Sequence, residues 1–182
     1  MPGKRLYLWV EGEDDERLFR EIIKPMFMGK YASIKIMKYS KMKKEKVDNF
    51  LKSIDAMNTD YIFVTDINQK PCVTAKKQTV KKTYKKVAED KIAIVIKEIE
   101  SWYLAGLSDA AAKKFKIRAF ATTDGITKEQ FNSLIPKRFD SRIDFMLEML
   151  KNFSIEIAKQ KNGSFNYFFE KFVTRSNVEQ EE

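Results

Sequence analysis

Apolar positions along the chain follow two rhythms. Residues 6–10 form an unbroken apolar run closed by Glu11, which predicts a strand covered on both faces. From Glu13 the rhythm turns helical: acids fill the first turn, and Leu18, Phe19, Ile22, Ile23 and Met26 share a face. Residues 31–39 alternate and suit a second strand, and residues 43–57 carry Val47, Phe50, Leu51 and Ile54 at helical spacing. The β-branched and aromatic run YIFVT at 61–65 predicts a third strand that delivers Asp66. Past Pro71, residues 73–88 place Val73, Val80, Tyr84 and Val87 on a narrow arc among lysines, an amphipathic basic helix. Residues 91–96 hold a fourth buried strand that runs into Glu98 and Glu100.

Strands alternating with helices imply right-handed crossovers, hence an α/β fold with a Rossmann-like parallel sheet of about four strands flanked by helices. Beyond Ile117 no strand pattern recurs; residues 131–134, 143–153 and 165–173 read as short helices and 122–127 as a loop. The expected organisation is an α/β domain over 1–117, a helical extension over 118–176 packed on it, and a disordered tail over 177–182.

Charge adds a partner class. Thirty-five Lys and Arg against twenty-six Asp and Glu leave a net charge of +9, which favours polyanions and makes their binding salt-dependent, although lysines also serve solubility. The single cysteine, Cys72, excludes an internal disulfide, and the lack of histidine excludes a Cys/His zinc site and leaves Cys72 without a catalytic partner. The apolar stretch near the N-terminus is too short for a signal peptide or a membrane span, so the expectation is a cytoplasmic protein with no membrane association.

In an open parallel sheet, ligands bind beyond the carboxyl ends of the strands. Glu11 closes the first predicted strand, Asp66 the third, and Glu98 with Glu100 the fourth, while Asp14 and Asp15 follow Glu11 by about one turn. Converging carboxylates call for a hard cation, magnesium or manganese. Each acid also has a structural reading. Helix dipoles favour Glu13, Asp14, Asp15 and Glu16 at a helix start, and Glu98 and Glu100 precede a helix beginning near Ser101. Asp66 has no helix start beside it. Trp9, Trp102, Tyr103, Phe165, Phe168, Phe169 and Phe172 fall at core spacings rather than on a base-stacking platform.

VEGEDD at 10–15 after the first strand and VTDIN at 64–68 after the third resemble the TOPRIM domain of primases, topoisomerases and OLD-type nucleases. EIESWYLAG at 98–106 and SFNYFFEKF at 164–172 resemble segments of small stand-alone OLD-like TOPRIM proteins, so the likeness spans most of the chain. The resemblance implies a TOPRIM-like sheet in which Glu11 serves as metal ligand or in proton transfer, Asp66 is the first acid of D-x-D, and Asp15 is a further ligand. Asn68 stands where the second acid of D-x-D would be, with Glu100 or Glu98 as the replacement charge. The chain lacks the further parts of a topoisomerase or primase, which leaves a Mg2+-dependent nuclease acting on DNA or RNA in phage defence or DNA repair. A separately encoded ATPase is an implied partner, since no phosphate-cradling glycine loop is present. Lys70, Lys76, Lys77, Lys81, Lys82, Lys85 and Lys86 would then track phosphates; their bland reading is a solvated helix face. Two alternatives stand beside this: a nucleic-acid-binding or scaffold module with a decayed site, and a receiver-like phospho-acceptor domain, which would want a lysine after a fifth strand.

Overall fold

The computed structural model describes residues 3–57 and 59–174, and the tail expected over 177–182 lies outside them. The chain divides into two compact units, Met1–Ile94 with Phe172–Glu182, and Val95–Lys171. Residues 95–117, expected with the α/β part, are thus grouped with the helices that follow.

The first unit carries β1 (Arg5–Val10), α1 (Glu13–Leu18) continuing through a π-helical turn (Phe19–Ile23) into α2 (Lys24–Met26), β2 (Ser33–Lys38), α3 (Lys44–Ala56), β3 (Asp60–Asp66), α4 (Val73–Thr83) and most of β4 (Ile92–Val95). The sheet is parallel with order β2-β1-β3-β4. β1 and β3 are interior strands with both faces covered, which is why each is a continuous apolar run; of the two edge strands, β2 is half-buried with Lys35 exposed, whereas β4 is buried throughout. Phe50 of α3 meets Tyr7 and Trp9 of β1 edge-on at 5.1 and 5.2 Å, fastening α3 to one face.

α4 is shorter than the residue spacing predicts. It stops at Thr83 because Tyr84 takes an extended backbone and the Asp48 carboxylate accepts the main-chain N–H groups of Lys85 and Lys86 at 3.3 and 3.0 Å. Lys85 and Lys86 therefore leave the helix face on which they were expected, a correction set by a partner 37 residues upstream.

The second unit is helical: α5 (Glu100–Ala105), α6 (Asp109–Phe115), α7 (Lys128–Ser133), α8 (Arg142–Lys151), α9 (Ile155–Lys161) and α10 (Gly163–Phe168), followed by a π-helical segment (Phe169–Thr174) that from Phe172 on is grouped with the first unit. α6 and α9 are not anticipated by hydrophobic period, yet Ser108 and Ser154 cap them, and that capping residue type was the available signal. Every residue of α5 is buried. Gly106 ends this helix against the ring of Phe153, where a Cβ would come within 2.1 Å of the ring. A buried polar network closes the core: the Trp102 indole N–H donates to Ser164 Oγ at 2.8 Å, Ser164 donates to Asn162 Oδ1 at 2.8 Å, and Asn162 Nδ2 donates to Thr123 Oγ1 at 3.0 Å. No helix among the described residues is long and apolar enough to cross a membrane.

Candidate functional site at the carboxyl edge of the sheet

Strand order sets a topological switch point at one place. From β1 the chain moves to β2 on one side and later to β3 on the other, so β1 and β3 are neighbours whose following segments depart in opposite directions. Such a switch point leaves room above the strand ends. Glu11 follows β1 and Asp66 ends β3. The β1–β3 register pairs Trp9 with Phe63; carried on by two residues it sets Glu11 opposite Thr65, next to Asp66. On the other side Val10 pairs with Lys38 and accepts the Tyr39 N–H at 3.0 Å, so Tyr39 lies beside Glu11.

The Tyr39 ring stacks on Phe63 with centroids 4.5 Å apart, and its hydroxyl donates to the Val64 carbonyl at 3.0 Å. Burial pushes this hydroxyl well above the ordinary tyrosine range, and the negative charges of Glu11 and Asp15 add to the shift. Tyr84, just past α4, sits edge-on to Tyr39 at 5.6 Å; burial raises its pKa, followed by the charges of Glu11 and Asp48. Asp15 is buried and accepts the Gly12 N–H at 3.2 Å, a bond that pins the turn after Glu11. One carboxylate oxygen each of Asp15 and Asp66 is sealed from solvent.

Lys76 is the residue whose position departs furthest from expectation. Placed by sequence on an exposed basic face, it is buried, with 8% of its surface accessible. Its backbone N–H donates to the Cys72 carbonyl at 3.1 Å, and among the described residues its side chain makes no hydrogen bond or ion pair. Desolvation lowers its pKa, while the carboxylates of Glu11 and Asp66 pull it back up and Lys70 pushes it down. The charge of Glu11 thus acts on Lys76, Tyr39 and Tyr84, and that of Asp66 on Lys76. A lysine under the charge of two acids was not a sequence expectation; its only signal was its distance of ten residues from Asp66 in a helix that starts beside the strand end.

The other expected residues are placed as follows. Asn68 is exposed and takes a left-handed backbone, φ 53°, a conformation Asn tolerates better than most residues. Lys70, Lys81, Lys82, Lys85 and Lys86 are exposed and Lys77 is half-exposed, with Lys81 paired to Glu89 at 3.3 Å. Glu98 and Glu100 belong to the second unit, where Glu98 accepts the Lys128 N–H and buried Glu100 pairs with Arg142 at 2.5 Å. Arg142 also donates to Asn132 Oδ1 at 2.8 Å.

Among the described residues, no three Asp, Glu or Cys side chains gather closely enough to hold a metal ion by themselves. The Glu11 and Asp66 carboxylates are hard oxygen donors of the kind magnesium takes. Compared with protein-family models, with curated proteins and with solved structures, the chain gives no match.

Proposed function

We propose that the chain is a TOPRIM-like, magnesium-dependent phosphodiesterase acting on nucleic acid at the β1–β3 crevice. The observation that carries this reading is the departure of Glu11 and Asp66 from two adjacent parallel strands at the switch point of the sheet. Glu11 and Asp66 offer hard oxygen donors there. Magnesium, when bound there, supplies a Lewis acid and lowers the pKa of a bound water for in-line attack on phosphorus. Asp15 holds the turn after Glu11 through the Gly12 N–H, and Tyr39 ties the end of β2 to β3, so both acids project from a braced edge. Lys70, Lys77, Lys81 and Lys82, on the loop and helix after Asp66, offer cations to flanking phosphates.

The experiment is cleavage of labelled single- and double-stranded DNA and RNA with Mg2+ or Mn2+, comparing wild type with Glu11→Ala and Asp66→Ala. Metal-dependent cleavage that falls at least about a hundredfold in both variants supports the proposal. The exposed Asn68 and the lack of a described three-acid group favour a second reading, a nucleic-acid-binding module without cleavage. Binding by all three proteins with no cleavage by any would establish that second reading instead.

A further inference from the structure

Helix α6 ends in a run of unbalanced charge. Lys113 and Lys114 close it and Lys116 and Arg118 follow, all four exposed, and residues 110–123 contain no acid. The fold brings a second basic segment to the same end. The Arg138 guanidinium donates to the Lys114 carbonyl at 3.3 Å and lies over the rings of Phe115 and Phe139, 5.8 and 5.0 Å from their centroids. Lys137, next to it in the chain, is exposed, and Arg118 lies over the half-exposed ring of Phe120 at 4.5 Å. Among the described residues none of these six cations pairs with a carboxylate.

The helix dipole accounts for Lys113 and Lys114 in the last turn. Lys116 needs another reason. Its N–H donates to the Lys113 carbonyl at 3.0 Å and that of Ile117 to the Ala112 carbonyl at 3.1 Å, the two bonds of a Schellman turn, and Lys116 holds the left-handed position with φ 59°. Glycine takes that position freely, whereas a side chain there costs stability. A lysine is thus kept within the basic segment against local preference.

We propose that the end of α6, with Lys137 and Arg138 beside it, is a binding surface for single-stranded nucleic acid. The lysines take phosphates as point charges. Arg118 and Arg138 sit over phenylalanine rings, and a guanidinium so placed, like the half-exposed Phe120 ring, is a face on which an unpaired base stacks. A duplex keeps its bases stacked on one another and would use the charges alone. The surface is independent of the metal-dependent reading above, because no cation takes part and neither does Glu11 or Asp66.

The test is fluorescence anisotropy of a labelled twelve-nucleotide oligothymidylate, and of a duplex of the same length, titrated with the full chain in EDTA. Lys116→Gly and Arg118→Lys are compared with wild type and with Lys52→Ala, which removes an exposed charge from α3. Lys116→Gly should raise the melting temperature by about 2–4 °C, through relief of the left-handed strain, and weaken oligothymidylate binding about threefold. Arg118→Lys keeps the charge and loses the planar face, so oligothymidylate should bind about threefold more weakly while the duplex is unaffected. Lys52→Ala should bind as wild type does. A more stable protein that binds less tightly is not the product of a damaged fold. Oligothymidylate affinity that is unchanged in Lys116→Gly, or reduced as much in Lys52→Ala, overturns the inference, as does an affinity that falls together with the melting temperature in Lys116→Gly. An Arg118→Lys variant that binds oligothymidylate as wild type does, or loses as much on the duplex, overturns the assignment to single strands.

Discussion

The Tyr39 hydroxyl donates to the Val64 carbonyl at 3.0 Å, so a side chain rooted just past β2 reaches over the end of β1 to hold β3. Glu11 lies under that span and Asp66 two residues beyond its anchor. Tyr39→Phe deletes the donor and keeps the ring stack on Phe63. The expected cost is about 1–2 kcal/mol, because the carbonyl it served stays buried. Urea denaturation checks this, and a variant as stable as wild type would show that the bond is not a brace.

Glu13 tests the acids at the start of α1, which act there as structural charges. Hydrogen bonds from Lys38 and then Lys41, at 2.8 and 3.0 Å, lower its pKa from 4.5 to about 2. A depressed carboxylate pKa stabilises the fold above the unfolded value and loses that contribution as pH falls through the folded one. Stability from this pair should therefore be complete above about pH 4.5 and fade towards pH 2. In Lys38→Met the Glu13 carboxyl, followed by NMR, should titrate closer to its ordinary value; an unmoved midpoint would contradict the assignment.

Glu100 separates a structural acid from a metal ligand. Its side chain is 4% exposed and pairs with Arg142, which is 23% exposed. Arg142→Met strands a buried carboxylate and should cost about 3 kcal/mol, while Glu100→Gln keeps an acceptor and should cost about 1–2 kcal/mol. Both should leave Mn2+ binding unchanged. Lost Mn2+ binding in Glu100→Gln with stability intact would make Glu100 a ligand instead.

The exposed lysines predict a salt signature. Replacing Lys70, Lys77 or Lys82 singly with Ala should weaken oligonucleotide binding alike across sequences and flatten the plot of log affinity against log salt by about one contact each. Lys81, already paired with Glu89, should give a smaller change. A sequence-dependent loss at any of them would mean base contacts rather than phosphate contacts.

Much of the first unit was legible without coordinates. The apolar runs at 6–10, 61–65 and 91–96 became β1, β3 and β4, and the acids closing the first two stand at strand ends, because a strand and its terminating charge are properties of adjacent residues. Helix ends were less legible, since α4 stops where Asp48 captures two main-chain amides, a contact no local pattern contains. The short helices α6 and α9 were missed for the reverse reason: their hydrophobic period is weak, and only the capping serines mark them.

The chain by itself determined the alternation of strand and helix, the basic charge, and the positions of Glu11 and Asp66 just past apolar runs. Only the tertiary structure decided that β1 and β3 lie side by side, which brings two acids 55 residues apart to one switch point. It also decided that Lys76 is buried while the lysines around it are exposed, and that Glu100 has a partner in Arg142. Period and composition report which side of an element is apolar. Which distant charge that side meets depends on strand order and packing, and those are set by contacts between residues far apart in the chain.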